Sequence, residues 1–229
     1  MYGCFRELIR ATALVAASFL LIAVASSSGA NAATIFAQGY TTKIAPMAVL
    51  PQWRHLLSTA ALKPENATAL WQELHDDARD KHPLRQLDAV NKYFNRIRYG
   101  TDTAIYGRRD YWASPAEFIA RDFGDCEDYS IAKYTALRAL GWSAESLLIV
   151  IIRDLKNSID HAALAAKFDD QWYVLDNRSH RVLTPSEVPF YQPVYAVNEN
   201  QLLVFERTWT TQQASVRAKR NRMRKANSG

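Results

Sequence analysis

The chain is poor in cysteine, proline and glycine, with 2, 8 and 8 of these among its 229 residues. Two cysteines exclude a disulfide-stapled miniprotein and a structural zinc site of the multi-cysteine kind. Few glycines and prolines, with 48% hydrophobic and 22% charged residues, exclude collagen-like repeats, low-complexity scaffolds and wholesale disorder. No internal repeat is present. The uncharged apolar stretch from Ala11 to Ala25 covers 15 residues, short of the ~20 that span a bilayer as a helix. Aromatics, by contrast, are plentiful: 6 Trp, 11 Tyr and 9 Phe, enough for a well-packed single domain.

The net charge of +5 is unevenly spread. Six basic residues and no acidic one lie in 211–229, at Arg217, Lys219, Arg220, Arg222, Arg224 and Lys225. Residues 33–210 carry a net −2, so the body is not a nucleic-acid-binding surface by charge. At the other end, Arg6 and Arg10 precede the apolar stretch, and Ala30-Asn31-Ala32 forms a small-x-small cleavage pattern. Residues 1–32 read as a secretory signal peptide for export, leaving no membrane span after cleavage. The expected organisation is thus a signal peptide at 1–32, one domain at 33–210 and a basic disordered tail at 211–229. Cys4 leaves with the signal, so Cys126 is the single cysteine of the mature chain.

Within the domain, residues 33–46 show no strong periodicity and read as a surface run. Helical spacing follows at Pro51–Ala61, Pro64–Arg79 and Leu84–Ile97. An irregular loop is expected from Tyr99 to Trp112. Ser114-Pro115-Ala116-Glu117 is a capping box with Pro at the first helical position. The next helix starts at Asp125 or Cys126 and runs to Leu140, with Gly141 as its stop. Ser146–Ile152 reads as a buried strand. Strands His161–Phe168 and Gln171–Leu175 flank a two-residue Asp169-Asp170 turn, and Pro193–Val197 and Gln201–Phe205 make a second hairpin. Helices first and antiparallel strands later predict an α+β fold.

The chemistry gathers at three residues. A helix N-terminus offers partial positive charge and unpaired amides, which favour a thiolate at Cys126 and an oxyanion beside it. His161 opens one strand of the first hairpin and Asp176 closes the other, so the hairpin lays them side by side. Cys126, His161 and Asp176 therefore supply a nucleophile, its base and the group that orients the base. Each alone has an ordinary explanation, as a core thiol, an edge histidine and a turn aspartate. His180 is a competing histidine in a loop, while His55, His75 and His82 lie on or beside early helices. Trp112 and Asn95 are upstream candidates for an oxyanion donor.

The run Trp112-Ala113-Ser114-Pro115-Ala116-Glu117-Phe118, the run Gly124-Asp125-Cys126-Glu127-Asp128-Tyr129-Ser130-Ile131-Ala132-Lys133-Tyr134 and Leu137-Arg138-Ala139-Leu140-Gly141 resemble the bacterial transglutaminase-like cysteine proteinases. His161-Ala162-Ala163-Leu164, Val174-Leu175-Asp176-Asn177 and Tyr195-Ala196-Val197-Asn198 extend the resemblance across Leu84–Phe205. It implies a papain/transglutaminase-like core, with the nucleophile helix packed on an antiparallel sheet and Cys126, His161 and Asp176 as the triad. The best-known members, of the LapG type, are periplasmic proteases that release adhesins. The resemblance therefore implies a large cell-surface adhesin as protein substrate, cut near its N-terminal retention module at a di-alanine site to control attachment and biofilm. It also implies an inner-membrane receptor controlled by a cyclic dinucleotide.

Calcium is implied as well, held by Asp125 and Glu127, with Asp128 as a further ligand. Carboxylates are the hard oxygen ligands that Ca²⁺ prefers, although acidic residues at a helix start are favourable with no metal. Three carboxylates around a thiolate would raise its pKa, a conflict that a cation removes. Asp102 and Asp110, in the Tyr99–Tyr111 loop, could add oxygens. Two rivals to the protease share the fold: a transglutaminase or amidase acting on glutamine or cell-wall peptides, and a non-enzymatic periplasmic binding module.

Overall fold

The computed structural model describes residues 39–59, 62 and 71–208. The signal peptide at 1–32, the tail at 211–229 and the first half of the helix expected at Pro64–Arg79 lie outside them. The helices come first: α1 (Pro51–Ser58), α2 (Gln72–Ala78), α3 (Pro83–Phe94), α4 (Asp102–Tyr106), α5 (Pro115–Arg121) and α6 (Cys126–Ala139). An early strand, β1 (Tyr40–Ala45), precedes them, and β2 (Arg98–Tyr99) and β3 (Phe123–Gly124) form a small parallel pair. The strands β4 (Leu147–Asp154), β5 (Ile159–Phe168), β6 (Gln171–Leu175), β7 (Tyr191–Val197) and β8 (Leu202–Arg207) follow. With β1 they build a six-stranded antiparallel sheet ordered β1-β8-β7-β4-β5-β6.

The apolar run of β4 is continuous because both of its faces are covered. Leu147, Ile149 and Ile151 join the core shared with the helices, which includes Trp53, Phe94, Ile131 and Leu137. Leu148, Val150 and Ile152 join a second core with Val174, Val188 and Leu203. Against the first core lies α6, buried on every side from Cys126 to Leu137. The β5–β6 hairpin turns at Asp169 and Asp170, both with positive φ, as a two-residue turn requires. At the β7–β8 turn, buried Asn198 donates to the carbonyls of Ala144 and Leu147 and accepts from Trp53 Nε1.

Three expectations need correction. Residues 40–45 are an edge strand paired with β8; the polar stretch Thr41-Thr42-Lys43 suits a strand with one partner and an open face. The Tyr99–Trp112 loop contains α4, a single five-residue turn of helix too short to give a periodic signal. Helix α3 ends at Phe94 and leaves Leu84 exposed, while Gln86 is buried in its place. Gln86 donates to the carbonyls of Ala78 and Arg79 and accepts from Trp142 Nε1, so its amide is satisfied inside.

Candidate active site

Cys126 is the first residue of α6, and its position is set by the turn before it. A Cβ on Gly124 would stand 2.5 Å from the Phe118 ring and 2.8 Å from Asp128 Oδ2, so only glycine lets the chain pass there. Asp125 then caps the helix reciprocally with Asp128, whose Oδ2 accepts from the Asp125 amide at 3.2 Å. The Cys126 thiol is buried and donates to Glu127 Oε2 at 2.7 Å.

His161 is the third residue of β5, and Asp176 is the first residue after β6. The register pairs Leu164 with Leu175, so its continuation sets Asp176 opposite Ala163 and diagonal to His161, within reach of long side chains. His161 Nε2 lies 3.0 Å from Asp176 Oδ1. Asp176 Oδ1 also accepts from the Arg178 amide at 2.8 Å, and Oδ2 accepts from the Tyr191 hydroxyl. Burial alone would pull the imidazole down, but the Asp176 carboxylate overrides it and, with a smaller contribution from the nearby Cys126 sulfur, raises His161 to about 9. Burial also raises Asp176, yet His161, Tyr191 and the Arg178 amide hold it well below the usual carboxylate range. The other imidazole nitrogen, Nδ1, is buried with the Cys126 sulfur as its neighbour. It is the nitrogen left to serve the thiol.

Beyond Cys126 lies an acidic pocket. Asp102, Asp125 and Asp128 each bring a buried carboxylate oxygen within 4.8 Å of the others, and Asp125, Cys126 and Glu127 do the same with their own ligand atoms. Asp102 Oδ2 accepts from the Tyr111 amide at 2.7 Å and Asp128 Oδ1 from the Ala113 amide at 2.8 Å. Asp102 Oδ1 is buried beside the Asp125 carboxyl. Burial raises Asp102 to about 6, aided by Asp110 and Cys126 and opposed by the Tyr111 amide. It raises Asp128 to about 8 with help from Asp102, and Asp110 to about 6 despite hydrogen bonds from Trp112 and Gln52. Burial, Asp125 and Cys126 push Glu127 well above its ordinary value. Buried oxygens that face one another, with no basic side chain among their main neighbours, fit a hard divalent cation.

The structure thus brings together Cys126, His161 and Asp176, and buries Asp125, Glu127 and Asp128 close to the same sulfur. Asp102 completes that second group more closely than its place in a loop suggested. His180 and His55 are exposed, while His82 caps α3. Asn95 is committed elsewhere: its amide donates to the carbonyls of Asp176 and Ser179. Tyr191 was missed by sequence reasoning, since a tyrosine opening a strand carries no signal of its own.

A cysteine heading a buried helix, packed against an antiparallel sheet that offers histidine and aspartate from one hairpin, defines a cysteine peptidase of the transglutaminase-like class. The sequence model for bacterial transglutaminase-like cysteine proteinases matches residues 63–211, and the chain belongs to that family. Among solved structures it is similar to Legionella pneumophila LapG, at 33% identity over 62% of this chain and 79% of that one, with a TM-score of 0.54. Calcium-bound Legionella pneumophila LapG matches at 30% identity over 70% of this chain and 90% of that one, with a TM-score of 0.55. The same protein treated with EGTA matches at 33% identity over 62% and 77%, with a TM-score of 0.54. No curated protein matches. Among the described residues no helix is long and apolar enough to cross a membrane.

Proposed function

We propose that the chain is an exported, periplasmic cysteine endopeptidase that cuts a large cell-surface adhesin near its N-terminal retention module and so controls attachment. The single observation that carries the catalytic part is the 3.0 Å contact between His161 and Asp176 beside the buried Cys126 thiol. In this reading His161 takes the thiol proton and the sulfur adds to the scissile carbonyl. The amides at the start of α6 face the oxygen as it gains charge. The imidazolium returns its proton to the leaving amine, and water, activated by the same ring, releases the acyl group. Asp176 fixes the ring and offsets its charge.

Asp102, Asp125, Glu127 and Asp128 would hold Ca²⁺, an assignment supported by their mutual burial and by the calcium-bound relative. The ion's contribution is charge compensation: it offsets carboxylates that otherwise repel one another and disfavour a thiolate. Export rests on the signal-like residues 1–32, and an inner-membrane receptor controlled by a cyclic dinucleotide rests on family resemblance.

The test is incubation of the calcium-loaded chain with the N-terminal region of a repeat-rich surface adhesin from the same cell. One cut at a di-alanine, lost with Cys126→Ala, is expected. Incorporation of a labelled primary amine without chain cleavage would replace the protease by a transglutaminase. Intact turnover by Cys126→Ala would remove the nucleophile altogether.

A further inference from the structure

Seven residues after Cys126, two turns along α6, stands Lys133, wholly buried in the protein. An ammonium out of water with few partners is costly, and Lys133 hydrogen-bonds one side chain, Asn91 Oδ1 of α3, at 2.8 Å. Because a charged ammonium only donates, this contact turns the Asn91 oxygen toward Lys133. The Asn91 nitrogen then donates to the Ser179 carbonyl at 2.8 Å. One turn further along α3, at its C-terminal end, Asn95 donates to that same carbonyl at 2.8 Å and to the Asp176 carbonyl at 2.9 Å. The two amides grip both ends of the Asp176–Ser179 turn, which closes on itself through the Ser179 amide and the Asp176 carbonyl.

We propose that Lys133, Asn91 and Asn95 form a buried clamp that holds the Asp176 turn in register with His161, tying the nucleophile helix to the residue that orients the base. The inference rests on the reading of Cys126, His161 and Asp176 given above, and all three clamp members are positioning residues. The chain of contacts has a direction: Lys133 orients Asn91, Asn91 and Asn95 fix the turn, and the turn aims the carboxylate. The groups facing Lys133 are Asp176 across the turn, Asn91 from α3 and the Tyr129 ring from its own helix, 5.8 Å from Nζ. Burial pulls the lysine down to about 7, and both its charged and neutral forms can donate to Asn91.

The test needs no protein substrate. Carbamidomethylation of Cys126 by iodoacetamide is followed against pH by peptide mapping, with Ca²⁺ present throughout. An aligned Asp176 stabilises the imidazolium and with it the thiolate, so a loosened turn moves the rise in reactivity to higher pH. Asn91→Asp keeps an acceptor for Lys133 but loses the donor to Ser179; Asn95→Ala loses both donors at a half-buried site. Each is expected to slow alkylation at neutral pH by about tenfold, the equivalent of one pKa unit. Lys133→Met should shift the profile the same way by less. Folded variants with altered melting temperature but the parental pH profile would overturn the clamp, and Asn95→Ala decides if Asn91→Asp does not fold. A profile unmoved by His161→Ala or Asp176→Asn would overturn the triad instead.

Discussion

Asp176 and Asp128 are equally hidden from water, and burial raises both, yet one ends well below the usual carboxylate range and the other near 8. The difference lies in their neighbours. Asp176 faces an imidazole, a phenol and a backbone amide, all donors. Asp128 has two backbone amides, but Asp102 stands beside it and the Cys126 sulfur is close. One flank of the nucleophile is electrically complete within the fold, and on the other the carboxylates disfavour one another's charge. Desolvation sets the cost of a buried charge, and the partners decide whether the charge survives.

The comparison breaks most sharply on the imidazole side. Cys126→Ala or His161→Ala should lower peptide cleavage by at least about 10⁴-fold, and Asp176→Asn by about 10³–10⁴-fold, while calcium binding measured by calorimetry stays near parental. Loss of calcium binding in His161→Ala would mean that the two flanks are one unit.

Next in size is metal removal. A chelator should abolish cleavage, and Ca²⁺ at about 100 times its dissociation constant should stabilise the fold by roughly 2.7 kcal/mol. Mg²⁺ should fail, because its small octahedral shell suits a carboxylate cage of this kind poorly. Asp125→Ala and Asp102→Asn should mimic the chelator. Full activity and an unchanged melting temperature in chelator would show that the acidic flank is self-sufficient.

A subtler separation comes from pH. Carboxylates whose folded values are raised lend stability below their unfolded value of about 4, and that stability is lost as pH rises through the folded value. With Asp102 and Asp110 near 6 and Asp128 near 8, the metal-free melting temperature should fall from pH 4 to pH 7, and Ca²⁺ should flatten the slope. His161, raised to about 9, keeps its full contribution up to its unfolded value of about 6.5 and loses it as pH rises from there through 9. Lys133, lowered to about 7, adds stability only above the window. A rising metal-free curve between pH 4 and 7 would contradict the pocket's assigned electrostatics.

The smallest effect should be Tyr191→Phe. Removing one donor from Asp176 costs about 1 kcal/mol, and cleavage should fall roughly fivefold with the calcium response intact. A change confined to KM would place Tyr191 against substrate rather than against Asp176.

The legible parts of this chain are the local ones. The capping box Ser114–Glu117 forms as its sequence implies, with Ser114 accepting from the Glu117 amide and Glu117 accepting from the Ser114 amide. Gly124-Asp125-Cys126 announced a helix start, and Asp169-Asp170 announced a two-residue turn whose register carries His161 and Asp176 together. The Tyr40–Ala45 strand was hidden because its own alternation is weak; pairing with β8, more than 150 residues away in sequence, makes it a strand. Lys133 offered a faint signal, a lysine on a helix with apolar residues all around it, but its partner Asn91 lies in another helix 42 residues earlier.

By itself the sequence determined most of the later helices and strands, the cysteine at a helix start and the hairpin that joins histidine to aspartate. These follow from propensities, caps and turns that act within about a dozen residues. Only the tertiary structure decided which carboxylates would meet one another and which would meet an imidazole. It also decided that Asp102 would join Asp125 and Asp128, and that Lys133 would reach the Asp176 turn through Asn91. Packing brings distant charges into one desolvated volume, and their pKa values are properties of that volume rather than of any segment of chain.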